Sequence, residues 1–440
     1  MKLKIEKLIF GGSGLGRGED TRPVFVRKSV PRDVLEVSIT KDKKSYSEAI
    51  IKSIIEPSTQ RIEPKCPYFD NCGGCDHQNI AYGDQLKYKN EIIKEFIERN
   101  HIEIDEYCTI VPGSDSEFFY RNSIRFEFLK TDDGLKIARH NYLDPSKPVI
   151  TDFCLLQSEF SNKLLKDILK LYNELGYAGD SLWQVKLREG KQTGEFMLEM
   201  ITKDNNLPYQ KELVELLKAY SDIKSAYHTI APNKDVYKLI RKLISGRPVI
   251  YEKIGNFSFQ ISPESFFQTN SLGVKNLYDI IKSFAKIEMG DRVLDLYSGT
   301  GSIGIYLSTL AKEVVGVESV AEAVKDAKDN AKINKIFNAE FINDDVKKFL
   351  QSGKKLDKKI IIVDPPRSGL KKELVLLLSK INFKRLIYVS CNPATFARDL
   401  KYFMEKGIDA KKIQPVDMFP QTHHIELVAE LKNKADNLSI

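Results

Sequence analysis

The sequence predicts an α/β protein in three parts: a small β-barrel over residues 1–58, a central α+β region over 59–255, and a doubly wound domain over 256–440. Three observations carry this. At 440 residues the chain is too long for a single hydrophobic core. From residue 256 onward, short apolar strands alternate with helical stretches, the signature of a parallel sheet covered on both faces. The first 55 residues instead read as short alternating strands broken by glycine-rich turns.

Within the barrel, residues 34–39 alternate apolar and polar, and Gly11, Gly12, Gly14 and Gly16 form a glycine-rich run. No GK[ST] ending and no helical pattern follow it, so a barrel turn is expected rather than a phosphate loop. Pro57, Pro64 and Pro67 punctuate a linker, after which residues 82–100 have helical apolar spacing. The central region mixes strands at 123–129 and 196–202 with an amphipathic helix at 160–175. The C-terminal domain offers strands at 292–296, 313–317, 359–363, 385–389 and 426–430, with helices at 321–335 and 371–379.

Composition narrows the class. Apolar residues at 42% and aromatics at 10% describe a globular chain, not a disordered one. The opening MKLKIEKLIFGG lacks the apolar core of a secretory signal, and no apolar run approaches the ~20 residues of a membrane span. A cytoplasmic protein is expected. The net charge of +7 is mild, but residues 1–55 carry twelve Lys/Arg against seven Asp/Glu. Such a cationic surface suits a polyphosphate partner, although a solvated lysine-rich face explains the charge equally well. With no export signal, the six cysteines point to metal or catalytic roles rather than disulfides.

Residues 293–304, VLDLYSGTGSIG, read as strand, tight turn and helix, with Glu318 at the tip of the next strand, nineteen residues after Gly299. This is a Rossmann-like nucleotide loop with an acid placed for ribose hydroxyls. It also matches G-x-G-x-x-G, so a nicotinamide enzyme and an S-adenosylmethionine enzyme both fit. Downstream, Asp364-Pro365-Pro366-Arg367-Ser368-Gly369 fixes the backbone beyond a strand's carboxyl end. An aromatic fourth residue would suggest amine methylation, and Arg367 weakens that reading. Cys391 ends the following strand. A lone cysteine is ordinarily a small buried apolar residue, but the polar Ser390-Cys391-Asn392-Pro393 turn argues against burial. Glu426 opens the last strand. The adjacent His423 and His424 invite a metal reading, but strand neighbours face opposite ways and no third ligand accompanies them, so zinc is not expected there.

Cys66, Cys72 and Cys75 have the spacing C-x5-C-x2-C, with Cys154 far downstream. Structural zinc usually uses two C-x2-C knuckles, so three cysteines in one run lean toward a [4Fe–4S] cluster while leaving zinc open. Cys108 fits no motif.

The motifs FFQTN (266–270), LDLYSGTGSIG (294–304), DPPRSG (364–369), VSCNPAT (389–395) and HHIE (423–426) resemble, in order, those of the RNA uracil-5-methyltransferase family. The barrel resembles that family's TRAM domain, and the cysteine run resembles the iron–sulfur members of the 23S rRNA uridine C5-methyltransferase type. The resemblance implies an S-adenosylmethionine-dependent enzyme that makes 5-methyluridine. Carbon 5 of uracil is a poor nucleophile, and thiolate addition at carbon 6 makes it a good one. By resemblance Cys391 is that nucleophile and Glu426 the base that removes the carbon 5 proton. Gln268, Tyr297, Glu318, Asp345 and Asp364 would surround the cofactor, and Cys66, Cys72, Cys75 and Cys154 would hold the cluster. The expected substrate is ribosomal RNA ahead of transfer RNA, with the uridine flipped out, and the expected enzyme is a monomer needing no protein partner. An iron–sulfur nicotinamide oxidoreductase and a non-catalytic RNA-binding protein are the rivals. The complete set of Cys391, Glu426, Asp364 and Gln268 speaks against the latter.

Overall fold

Five N-terminal strands close into a barrel in the order Lys2–Leu8, Ser13–Arg17, Pro23–Arg27, Ser47–Glu56, Val34–Asp42. Their alternation turns Leu3, Ile5, Val24, Val26, Leu35 and Val37 inward. Gly11 and Gly12, at φ 103° and 85°, make the first turn. Gly14 and Gly16 lie within a strand, where a Cβ would strike Ser29 and the Lys4 carbonyl. The glycine run is therefore a barrel corner followed by two points of close approach. The computed structural model describes residues 1–144, 146–231, 239–353 and 360–434.

The central region is a seven-stranded sheet. Helices Glu159–Glu174 and Gln210–Lys218 bury Leu164, Leu165, Ile168 and Leu213 with the sheet's Ile124, Val185 and Leu198. Cationic side chains of the same sheet reach the C-terminal domain. Lys186 Nζ donates to the Pro263 carbonyl at 3.0 Å, and Arg188 Nη1 to that of Ser262 at 2.8 Å.

The C-terminal sheet has nine strands. Arg292–Leu296 lies between Glu313–Glu318 and Ile360–Val363; Ala339–Asn343 flanks the former and Arg385–Ser390 the latter, all parallel. Glu426–Asn433 then pairs antiparallel with Arg385–Ser390, and Ile408–Asp417 antiparallel with Glu426–Asn433. Fully buried runs such as Ile360–Val363 fit a sheet covered on both faces.

Two elements depart from the sequence reading. Ile408–Asp417 is a strand despite Lys411, Lys412 and Pro415, because it takes its register from Glu426–Asn433 rather than from its own apolar content. The segment 82–112, which the reading assigned to the central region, folds onto the C-terminal sheet. Helix Tyr82–Arg99 buries Tyr88, Ile92, Ile93 and Ile97 in one core with Leu294, Val363, Tyr388 and Phe396. Ile104–Tyr107 pairs with Ile408–Asp417 as an added strand. Periodicity reveals that a helix has an apolar face, not which sheet covers it. Among the described residues, no helix is long and apolar enough to cross a membrane.

Candidate active site

Strand order runs in opposite directions from Arg292–Leu296 and Ile360–Val363, which makes their carboxyl ends the switch point where such sheets bind ligands. The loop after the first turns on Tyr297, Gly299 and Gly301, all left-handed at φ 63°, 52° and 77°. A Cβ on Gly301 would sit 2.7 Å from the Phe341 ring, whereas one on Gly299 meets nothing within 4 Å and faces open space. The Gly299 amide donates to Glu318 Oε2 at 3.2 Å, and Val320 N to Oε1 at 2.8 Å. Asp345 caps helix Val346–Gln351 by accepting from Lys348 N at 3.0 Å. Burial pushes the Tyr297 phenol up to about 12, with Asp345 and Glu318 adding to it, so these three side chains share one neighbourhood.

Beneath the loop, Asp295 Oδ2 accepts from Gly304 N at 3.0 Å, while Oδ1 is buried without a partner. Burial, reinforced by Asp364 and Glu318, pushes its carboxyl up to about 8. Burial likewise pushes Asp364 up to about 6.

The second cluster is built by strand register. Ser390 pairs with Leu427 across antiparallel strands, so the residues flanking that pair, Cys391 and Glu426, meet at one sheet edge. Burial pushes the half-buried Cys391 thiol up to about 11; Glu426 and Asp364 act in the same direction and Arg367 against it. Glu426 is buried and held far above the ordinary carboxylate range by burial and by Asp364, again opposed by Arg367. Asn392 caps helix Pro393–Met404 through Ala394 N at 3.0 Å, and its Nδ2 donates to the Arg367 carbonyl at 3.2 Å. That contact ties the cysteine turn to the Asp-Pro-Pro-Arg loop.

Gln268 enters from a third segment, just before helix Ser271–Ala285. Asn122 of the central domain holds its backbone: Asn122 Nδ2 donates to the Gln268 carbonyl at 2.9 Å and Asn122 N to that of Thr269 at 2.8 Å. Sequence reasoning missed Asn122 because it bears no chemistry, only two well-aimed donors. It also misread the histidines. His423 and His424 lie in the loop before the last strand, not on it, and their rings are 4.3 Å apart. His424 Nε2 meets Arg367 Nη2 at 3.4 Å, and burial, with His423 and Arg367 adding, pushes His424 down to about 3.

Cys66, Cys72, Cys75 and Cys154 line one cavity, walled also by Arg121, Arg139 and Thr151 and by no carboxylate. The buried Thr151 hydroxyl has no hydrogen-bond partner. Burial raises the Cys66 and Cys154 thiols and pushes Cys75 up to about 12. Among the described residues, no three His, Cys, Asp or Glu are gathered as a single metal ion would require. Cys108 stands apart, with its thiol 3.5 Å from Glu106.

Known proteins are similar to this chain along its length. An uncharacterized RNA methyltransferase of Halalkalibacterium halodurans is 37% identical over 98% of this chain and 97% of its own length. Another, from Caldanaerobacter subterraneus, is 35% identical over 98% of both. The crystal structure of the Pyrococcus abyssi tRNA (uracil-54, C5)-methyltransferase, in complex with S-adenosyl-L-homocysteine, superposes with a TM-score of 0.78. It is 29% identical, covering 98% of this chain and 100% of that one. The tRNA (Uracil-5-)-methyltransferase family profile matches residues 81–434, and with these whole-length relatives it establishes that the chain is a methyltransferase belonging to that family.

Proposed function

We propose that the protein transfers a methyl group from S-adenosylmethionine to carbon 5 of a uridine in RNA, through a covalent adduct on Cys391. The register that brings Cys391 beside Glu426 is the observation that carries this reading. S-adenosylmethionine, when bound, supplies the methyl group as an electrophilic sulfonium. Gln268, Tyr297, Glu318, Asp345 and Asp364 would hold it, the acids through its hydroxyls and amines; Gln268 and Asp364 also suit uracil. Cys391 Sγ adds to carbon 6 of the uracil, making carbon 5 nucleophilic. Carbon 5 would then take the methyl group, the bond from that methyl to the sulfonium sulfur breaking as the new carbon–carbon bond forms. Glu426 removes the carbon 5 proton, the C–H electrons restore the ring double bond, and the carbon–sulfur bond to Cys391 breaks. Both groups must be ionised when they act, so the sites' raised affinities for protons have to be relieved in the bound state. Arg367 is the cation on hand to do so.

A [4Fe–4S] cluster would be held by Cys66, Cys72, Cys75 and Cys154, a reading supported by the one cavity that all four line and by its charged lining residues, the cations Arg121 and Arg139. With four thiolates engaged, such a cluster leaves no open iron for chemistry, and a structural or RNA-positioning role follows. The barrel suits a TRAM-type RNA-binding module, its charge excess suiting phosphates. Ribosomal RNA is the substrate favoured by the resemblance to iron–sulfur 23S rRNA enzymes. Transfer RNA is the second reading, favoured by whole-chain likeness to the Pyrococcus abyssi enzyme. The enzyme would act as a cytoplasmic monomer. Labelled S-adenosylmethionine, incubated with separated ribosomal and transfer RNA lacking 5-methyluridine, tests this. Label recovered as 5-methyluridine supports the reading and names the RNA class. Label in any other nucleoside, or none in either RNA, overturns it.

A further inference from the structure

The paired histidines carry no metal reading, yet they stand at the junction of three parts of the fold. Asp76 directly follows Cys75 and is 5% exposed. Its Oδ2 accepts from the His423 backbone N–H at 3.2 Å and meets His423 Nδ1 at 2.7 Å. Its Oδ1 accepts from Arg27 Nη2 of the barrel at 2.8 Å. The amides of Asp76 and His77 both donate to the Gln421 carbonyl, at 2.9 and 3.1 Å. The barrel closes over this group. A Cβ on Gly12 would lie 2.8 Å from Asp76 Cγ, and the Phe10 ring meets that of His423 edge-on at 5.8 Å. The His423 ring packs against that of His424 at 4.3 Å, tilted by 50°; His424 contacts Arg367, and Glu426 follows two residues later.

We propose that Asp76 is a positioning residue for the catalytic loop. By gripping His423 it fixes His424, and through it holds the Arg367 guanidinium and the Glu426 carboxylate in register with Cys391. A buried carboxylate that joins a barrel arginine to a histidine three residues from the proposed base does more than fill space. It makes the alignment of the active-site loop depend on the docking of the barrel and of the cysteine-bearing segment. Charge-assisted contacts of this kind are short and directional, and small displacements at a reacting centre cost large factors in rate.

This inference rests on the covalent mechanism proposed above, and the experiment separates the two. In the full-length protein, Asp76→Asn removes the charge while keeping an acceptor, and His423→Phe removes Nδ1 while keeping the ring. Turnover, the affinity for S-adenosylmethionine by calorimetry, bound iron, and the fraction of protein trapped as an RNA adduct on denaturing gels are measured for each. Each variant is expected to lose about tenfold in kcat, with cofactor affinity and iron unchanged. Trapped adduct should rise, because misaligned Glu426 slows proton removal more than thiol addition. The double variant should be no slower than the worse single one, since both changes cut the same link. Wild-type kcat in either variant, multiplicative losses in the double, or losses that follow cofactor or iron binding would overturn the role of Asp76. A wild-type protein that traps no adduct, beside an active Cys391→Ala, would instead overturn the covalent mechanism and this inference with it.

Discussion

Cys391 and Glu426 are 35 residues apart in sequence and flank a single cross-strand pair, Ser390 with Leu427. The parallel strand delivers the thiol at its carboxyl end and the antiparallel strand delivers the acid at its start, so one sheet edge holds both. If these are nucleophile and base, their removal must fail in different ways. Cys391→Ala should abolish methyl transfer by at least about a thousandfold while leaving S-adenosylmethionine binding intact. Glu426→Gln should still add to uracil and so accumulate a protein–RNA adduct stable on a denaturing gel. Residual turnover in the first variant, or clean release in the second, would mean that other groups do this work.

The thiol itself should report its surroundings. Burial and the neighbouring Glu426 and Asp364 push Cys391 up to about 11. The ligand-free protein therefore holds it as a thiol at neutral pH, and only thiolate reacts with alkylating agents. Its alkylation by iodoacetamide, followed by mass spectrometry, should rise roughly tenfold per pH unit from 7 to 10. Arg367→Met should slow alkylation at any pH in that range, because the guanidinium favours the thiolate. A plateau below pH 9 would contradict this account.

Asp295 gives a stability prediction with a definite sign. Its carboxyl is raised in the fold, to about 8 from the ordinary 3.8. The contribution is thus fully present below pH 4, where the unfolded chain also binds the proton, and is lost as pH rises toward 8. Asp295→Asn keeps an acceptor for the Gly304 amide and removes the titration. Thermal melts of the ligand-free protein should show the variant gaining on wild type by about 1–3 kcal/mol between pH 5 and 8. A gap that narrows as pH rises would refute the assignment.

What the sequence disclosed follows physical lines. The strand 292–296, the glycine turn and the acid at 318 were legible because a parallel sheet demands apolar runs and its turns demand particular residues. Cys391 and Glu426 were legible as ends of strands, and their proposed roles come from the motif resemblance. Asn122, Asp76 and His423 were not legible in these places, because the contacts that set them there reach partners more than 100 residues away in sequence. The same holds for helix Tyr82–Arg99. Its apolar stripe was plain in the sequence, but the C-terminal sheet that covers it is set by tertiary packing alone.

The contact that fastens this helix supplies the last test. Lys89 Nζ and Asp417 Oδ1 are 2.7 Å apart, with the two side chains 1% and 0% exposed. Lys89 also donates to the Phe419 carbonyl at 3.2 Å, and Asp417 Oδ1 accepts from Phe419 N at 3.1 Å. Phe419 lies 5.7 Å, ring to ring, from His424. A buried pair of this kind gains little over a well-packed apolar replacement, but losing one partner strands the other charge. Lys89→Met should therefore cost about 3–5 kcal/mol and lower the melting transition by several degrees. Combining it with Asp417→Leu should recover most of that loss, because no charge is then left buried. Turnover should stay depressed in the double variant, since Phe419 would have lost both polar anchors beside the His423–His424 loop. Full recovery of stability and activity together would show that the pair only fills the interface, whereas additive destabilisation would show that the two charges do not depend on each other.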